Sequence, residues 1–146
     1  MMQREVAERL TARPRTKEYG ILAVMTQTYC RPERLFNVPP GCFFPRPKVT
    51  STVVRLKFRE EEERKEIDGI EKAHRKLVRA AFGKRRKTLN NSLTELIPNA
   101  EERADIFAAA QINPNSRAEE LAPEEFLRFA RVFAAARPGS AGRTAE

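Results

Sequence analysis

Residues 35–58 read LFNVPPGCFFPRPKVTSTVVRLKF, and this stretch decides the fold class. From Thr50 to Phe58 apolar and polar side chains alternate, which predicts a strand with one apolar face. Residues 35–38 are mostly apolar and end at a Pro-Pro-Gly turn, which predicts a shorter strand. The segment 43–48 between them predicts a loop, because its two prolines lack the N–H donor that a central strand needs.

Two helices are predicted before these strands, over residues 3–11 and 17–29, because apolar residues recur three and four positions apart. Residues 1–4 are a third, very short strand candidate. A sheet of three strands covered by two helices leaves an apolar face and an edge without a partner. Residues 1–58 therefore resemble the second half of an α/β domain.

The chain changes character after residue 58. Residues 59–66 are mainly charged and offer no apolar anchor, which predicts a linker. Residues 67–136 are predicted to be helical: Gly83 is placed to end one helix, another is predicted over 88–97, and Asn99 and Pro123 are placed to begin two more. Residues 137–146 are rich in Gly, Ser and Ala and predict a disordered tail. The predicted fold class is thus α/β followed by a small all-α bundle.

Composition limits the function classes. The 146 residues carry a formal net charge of +8, and the mean hydropathy is -0.60. No apolar run approaches the ~18 residues of a membrane span, and the charged N-terminal residues do not resemble a secretory signal. We therefore expect a cytoplasmic protein with no membrane partner. Cys30 and Cys42 are expected to be reduced thiols, because they are too few for a disulfide framework or a zinc site.

Positive charge is concentrated in two places. Residues 1–58 carry a net charge of +7, and residues 72–87 hold eight basic residues and no acidic one. These are Lys72, Arg75, Lys76, Arg79, Lys84, Arg85, Arg86 and Lys87. The first four share one face of a predicted helix, and the last four form a corner before a helix that begins near Thr88, whose dipole adds to the charge. Clustered basic residues are typical of a phosphate-backbone binder. The alternative is a solvated helix face.

The segment FFPRPKVTS, residues 43–51, is the second candidate for contact with nucleic acid. Its candidate base-binding residues are Phe43, Phe44, Pro45 and Lys48. An aromatic ring held rigidly beside basic groups can stack on an unpaired base and hold its phosphate. The alternative is that Phe43 and Phe44 are core residues that cap the sheet.

Catalytic machinery is not predicted. The six glycines are isolated, so the sequence contains no Gly-rich loop for a phosphate or a cofactor. The single histidine, His74, lies on the apolar side of the basic helix, where a packing role is favoured over catalysis. We therefore assign no catalytic, cofactor-binding or metal-binding residue.

Five stretches in order resemble the ribosomal RNA adenine dimethyltransferases, specifically the bacterial kasugamycin-resistance type that modifies small-subunit rRNA. They are MQREVAERL, KEYGILAVMTQTYC, LFNVPPGCFFPRPKVTSTVVRL, FGKRRKTLNNSL and INPNSRAEELAPEEF. The phrase FxPxPKVxS, here Phe43–Ser51, is shared with the erythromycin-resistance methylases. The phrase RRKTLxNSL, here Arg85–Leu93, is typical of the small-subunit branch, and the helical extension argues against the large-subunit branch.

The resemblance implies a Rossmann-like class I methyltransferase fold and S-adenosylmethionine as methyl donor. It also implies two methyl transfers to N6 of each of two adjacent adenosines in small-subunit rRNA, within the pre-ribosomal small subunit. In the family, the loop that matches Phe43–Lys48 stacks on the flipped base. Phe43 is therefore the expected stacking residue, and Lys48 is expected to position its loop or a phosphate.

The family's Gly-rich cofactor loop, acidic ribose ligand and Asn-Leu-Pro-Tyr motif have no counterpart in this sequence. We therefore expect the C-terminal part of a methyltransferase domain (1–58), a linker (59–66) and a helical RNA-binding domain (67–136). Such a truncated chain, or one piece of a split enzyme, is expected to be inactive alone and to have the missing N-terminal half as a partner. The alternative is a non-catalytic RNA-binding or ribosome-assembly module that uses only the basic helix and its corner.

Overall fold

The computed structural model describes residues 1–137, which form one three-stranded sheet and seven α-helices. The strands are β1 (Met2–Gln3), β2 (Cys30–Val38) and β3 (Ser51–Phe58). β3 lies in the middle and pairs antiparallel with both neighbours, so the strand order is β1-β3-β2. A bulge between Arg34 and Phe36 interrupts the ladder of β2 and β3. The three strands predicted from the sequence are all present.

The helices are α1 (Arg4–Leu10), α2 (Ile21–Tyr29), α3 (Glu61–Asp68), α4 (Glu71–Phe82), α5 (Leu89–Ser92), α6 (Ala100–Ala110) and α7 (Pro123–Ala136). Three predicted helix ends are confirmed. Gly83 is the C-cap of α4, Pro123 is the first residue of α7, and the Asn99 side chain caps α6 by accepting a hydrogen bond from the backbone N–H of Glu102. Within residues 1–137 no helix is both long enough and apolar enough to cross a bilayer.

Most of the predicted linker, residues 59–66, is helical, and its role as a linker stays a prediction. α3 runs through this segment to Asp68, and Ile67, which is only 2% exposed, anchors it in the interior. The predicted linker ends at residue 66, one residue before Ile67. An ion pair between Lys65 and Glu61, 3.1 Å apart and one turn away from each other, adds a small local stabilisation.

Two other predicted elements have different lengths. The helix predicted over 88–97 ends at Ser92, so α5 is a single turn. β2 begins at Cys30 instead of Leu35, because pairing of Cys30 with Phe58 continues the ladder through residues that have little strand preference of their own. Residues 138–146 of the predicted tail lie outside the described residues, whereas Arg137 hydrogen bonds to the Glu102 carboxylate of α6 at 2.8 Å.

The hydrophobic core is built mainly by the helices, and α2 contributes to it. Ala23 and Val24 of α2 are fully buried in the same cluster as Leu77 of α4 and Phe126 of α7. Tyr19, just before α2, is also buried there and contacts the ring of Phe82 edge-on. The division of the chain at residues 58 and 59 remains a prediction, but packing crosses it at α2.

Large apolar side chains that are exposed lie within residues 1–58, and none was found in 59–137. They are Met1, Ile21, Leu22, Leu35, Phe36, Phe44, Val49, Leu56 and Phe58. The register places Leu56 and Phe58 on one face of the sheet and Phe36 on the other. The uncovered apolar surface predicted for the small sheet is therefore present.

Candidate nucleic-acid interface

The loop between β2 and β3 exposes its two phenylalanines to different degrees. Phe44 is fully exposed and Phe43 is half-buried, and neither belongs to the core cluster. The start of the loop is fixed by a 3₁₀ turn, in which the Phe43 N–H donates to the Pro40 carbonyl at 3.2 Å. The Phe44–Pro45 peptide is cis. The interpretation of both rings as core residues is therefore wrong for Phe44, whose ring is available to a ligand.

Lys48 lies at the exit of this loop, beside α1. It is exposed and lines an open groove of about 470 Å³ together with Arg4, Glu5 and Glu8. The two carboxylates balance the positive charge of this groove. A role for Lys48 in holding a phosphate or in positioning the loop remains a prediction.

The basic residues of α4 lie on its solvent side. Lys72, Arg75, Lys76 and Arg79 are exposed, while the opposite face of the helix is buried. Arg75 forms an ion pair with Glu71 one turn earlier. Lys76 and Arg79 have no carboxylate within 4 Å among residues 1–137. Their charge is thus available to a polyanion that approaches this face.

The corner after α4 is less uniform than its sequence indicates. The Arg85 guanidinium donates to the backbone carbonyl of Lys17 at 2.7 Å and lies 3.9 Å from Glu119. Lys84 Nζ is 3.7 Å from Glu95. Arg86 and Lys87 are exposed, and no carboxylate of the described chain lies within ion-pair distance of them. Arg86 and Lys87 are therefore the corner residues best placed for phosphate contact.

The dipole contribution predicted for this corner is small. Thr88 does cap α5, since its hydroxyl oxygen accepts from the Asn91 N–H at 3.4 Å. With only four residues, however, α5 sums too few aligned peptide dipoles to act as a strong anion site. The corner acts through its side chains.

His74 has the packing role that its sequence position favours. It is completely buried between α4 and α2, and its Nε2 lies 3.5 Å from the Thr28 hydroxyl. The Thr28 hydroxyl donates its own hydrogen to the Val24 carbonyl at 2.7 Å, so the Nε2 nitrogen must be the protonated one. Nδ1 has no hydrogen-bond partner among the described residues. Burial lowers the pKa of His74 to about 4.

A second group of arginines was missed by the sequence reasoning. Arg13, Arg31, Arg34 and Arg59 line one groove of about 420 Å³. Arg13 lies after α1, Arg31 and Arg34 lie within β2, and Arg59 follows β3, so no local charge run reveals the group. Only the fold brings them together.

Residues 1–137 do not fit an S-adenosylmethionine site. Gly20, Gly41, Gly69 and Gly83 are the described glycines, and each stands alone. None of them has the positive φ that a tight cofactor-binding turn exploits. Nor do three or more His, Cys, Asp or Glu side chains in this part of the chain converge on a possible metal position.

The described chain is thus a mixed α and β structure with an exposed aromatic loop and an exposed basic helix, two surfaces of the kind that suit nucleic acid. A family model described as ribosomal RNA adenine dimethylase matches residues 1–135. The chain belongs to this family. The resemblance noted in the sequence is thereby confirmed.

Relatives and solved structures agree with this assignment. Ribosomal RNA small subunit methyltransferase A of Xanthomonas euvesicatoria pv. vesicatoria (strain 85-10) is 46% identical over 132 residues, which are 90% of this chain and 48% of that protein. A dimethyladenosine transferase from Plasmodium falciparum has a similar fold, with a TM-score of 0.76 and 22% identity over 92% of this chain and 55% of that one. The 23S rRNA methyltransferase ErmE gives a TM-score of 0.53 and 24% identity over 90% of this chain and 52% of that one. The chain spans about half the length of the curated relatives it matches.

Proposed function

We propose that the chain is the RNA-recognition half of an rRNA adenine N6,N6-dimethyltransferase that acts on the small-subunit rRNA of the pre-ribosomal particle in the cytoplasm. It corresponds to the C-terminal part of a Rossmann-like methyltransferase domain followed by a helical domain. The observation that carries the proposal is the loop between β2 and β3, which starts in a 3₁₀ turn and carries an exposed Phe44 and a half-buried Phe43. Such a loop suits a base taken out of its stack.

The chemistry of N6 methylation explains why such a loop is needed. The lone pair of the exocyclic nitrogen is delocalised into the adenine ring, so reaction depends on holding the base in line with the methyl donor. A ring stacked on the base restricts it to one plane. We assign the stacking to Phe43, whose half-buried side chain is better fixed than that of Phe44, and the entry of the base to the exposed Phe44.

The S-adenosylmethionine site belongs, in this proposal, to the other half of the family's length. That half also covers the apolar surface of residues 1–58, which includes the exposed side chains of Phe36, Leu56 and Phe58. The chain alone is therefore inactive and becomes competent on binding the N-terminal half.

Reconstitution tests this function. The N-terminal half of the Xanthomonas relative, produced separately, is mixed with this chain, S-adenosylmethionine and a small-subunit rRNA fragment. We expect no heat when S-adenosylmethionine is titrated into the chain alone, and dimethyladenosine only when both halves are present. RNA binding without any methylation by the mixture would favour the alternative, a non-catalytic RNA-binding or ribosome-assembly module that uses α4 and its corner.

Replacement of the phenylalanines tests the loop. Phe43→Ala is expected to remove the preference for an RNA with an unstacked adenosine, since one stacked base is worth roughly 1 to 3 kcal/mol. The salt dependence of binding should stay the same, because no charge is lost. Phe44→Ala is the matched control for ring removal in the same loop, with a smaller effect expected on an adenosine already unstacked. Fluorescence of 2-aminopurine at the target position measures both.

A further inference from the structure

We propose that the groove lined by Arg13, Arg31 and Arg34 is a second phosphate-binding surface for structured RNA. It is separate from the basic helix, since none of its lining residues belongs to α4 or to the corner that follows. The inference rests on the proposed function, because it names a further contact with the same class of substrate.

The four arginines of the groove come from three parts of the chain. Arg13 follows α1, Arg31 and Arg34 belong to β2, and Arg59 directly follows β3. A neighbouring groove of about 480 Å³ also has Arg13 and Arg34 in its lining. Basic side chains that line a groove can contact the phosphates of a nucleic-acid backbone.

Three of the four guanidinium groups are not neutralised by the protein. Arg13, Arg31 and Arg34 are exposed, and within residues 1–137 no carboxylate lies within 4 Å of them. Arg59 is different, because its Nε donates to the Thr28 carbonyl at 2.6 Å and its charge is balanced by two glutamates, each 3.7 Å away. The Arg59 side chain is therefore fixed in the wall of the groove, and the guanidinium groups of Arg13, Arg31 and Arg34 can contact a ligand.

The floor of the groove is neutral. The Gln27 amide is held by donating to the carbonyls of Leu10 at 3.1 Å and Ala12 at 2.8 Å. The Cys30 thiol donates to the Thr26 carbonyl at 3.3 Å, and burial raises the pKa of this thiol, which keeps it uncharged. A neutral floor below three guanidinium forks favours phosphate, whose oxygens match the fork geometry.

Two other grooves of the described chain contain more carboxylates than the proposed groove. A groove of about 650 Å³ mixes the carboxylates of Glu5, Glu8 and Glu18 with basic residues, so a polyanion meets repulsion there. The neighbouring groove also contains Glu8 and Glu18. In the proposed groove Glu124 is the single acidic lining residue, and it already pairs with Arg59. We therefore place the phosphate at the Arg13, Arg31 and Arg34 end.

The test compares two triple variants of the full chain that remove the same charge. Arg13→Gln, Arg31→Gln and Arg34→Gln change the groove, and Arg64→Gln, Lys65→Gln and Arg131→Gln change exposed residues of α3 and α7. Binding to a small-subunit rRNA hairpin is measured from ~50 to ~300 mM salt. We expect the groove variant to flatten the slope of log K against log salt by about 2 to 3, and each single groove variant by about 1. The control should leave the slope within ~0.5 of the parent. Thermal unfolding confirms that both variants fold.

The possible outcomes separate this inference from the proposed function. Equal slopes for the groove variant and the control overturn the groove, whereas a flattened slope for Arg86→Ala with Lys87→Ala in the same assay leaves the proposed function standing. A parent chain that does not bind structured RNA overturns both. A groove variant that loses binding to poly-L-glutamate but keeps its RNA slope also overturns the proposal, because the partner is then an acidic protein.

Discussion

The buried histidine makes the stability of the chain sensitive to pH. Burial lowers the pKa of His74 from 6.5 to about 4, and Nδ1 has no acceptor beside it that could stabilise a proton. The unfolded chain therefore binds more protons than the folded chain between these two values. The contribution of the neutral His74 ring to the free energy of unfolding is complete above pH 6.5 and decreases as the pH falls towards 4.

We expect the free energy of unfolding to fall by about 2 kcal/mol between about pH 7.5 and about pH 5 from this group alone. Urea unfolding at the two pH values measures it, and His74→Gln is the control that lacks the titrating ring. Because the chain has a single histidine, its ring protons can also be titrated directly by NMR. A midpoint near 6.5 in the folded chain would contradict the assignment.

The two tyrosines form a matched pair for a buried hydrogen bond. The Tyr19 hydroxyl donates to the Leu121 carbonyl at 2.6 Å in the core, and burial raises the pKa of Tyr19 well above its ordinary value. Tyr19→Phe leaves that carbonyl buried without a donor, which should cost about 1 to 3 kcal/mol. Tyr29 is half-buried, and no hydroxyl partner is found for it in residues 1–137. Tyr29→Phe should therefore change the free energy of unfolding by less than ~0.5 kcal/mol. Equal effects in chemical denaturation would contradict the role of the Leu121 bond.

The corner between α4 and α5 divides its residues between structure and recognition. Arg85 ties the corner to the Lys17 carbonyl before α2, so Arg85→Ala should lower the unfolding midpoint. Arg86 and Lys87 make no such contact in the described chain. Their joint replacement by Ala should leave the midpoint unchanged but flatten the salt slope of RNA binding by up to ~2. Thermal unfolding and RNA titrations at several salt concentrations separate the two effects. The assignment is wrong if Arg85→Ala and the double variant shift the midpoint equally.

Elements with local signals were predicted well, and those that depend on distant contacts were not. The alternation in β3, the stop at Gly83 and the start at Pro123 are local, and the structure has each of them. The first residues of β2 lack strand preference and are ordered by pairing with β3. α3 has a single buried residue, Ile67, at the end of a run of charged residues that gives no apolar pattern of its own.

In the candidate site, too, the features that are contiguous in sequence were predicted, and those that depend on distant contacts were not. The aromatic loop and the basic run are contiguous in sequence, so a count of residues finds them. The different roles of Arg85 and Arg86 cannot be predicted from neighbouring residues, because the Lys17 carbonyl that binds Arg85 lies 68 residues away in the chain. The arginine groove has the same character, since its members meet only after the sheet has formed.

The packing of the whole molecule is uneven, with a closed helical core and an open sheet. Exposed large apolar side chains lie within residues 1–58 of the described chain, whereas α2, from the same segment, is buried in the helical core. Local stability follows buried apolar contact. The strands should therefore open more often than the helices, and α2 should behave like the helices although it lies in the first 58 residues.

Hydrogen exchange of the full chain measures this difference. The paired amides of β2 and β3 should exchange at least about tenfold faster than those of α4 and α7, since a difference of ~1.4 kcal/mol in opening free energy gives that ratio. Amides of α2 should match α4, which serves as the internal control. Addition of the N-terminal half of the Xanthomonas relative should slow exchange in β2 and β3 and leave α4 unchanged, because the proposed function places that half over the sheet and not over the helical core. Equal protection of strands and helices in the isolated chain would mean that the sheet is stable without a cover, and the apolar surface would then give no reason to expect a partner there.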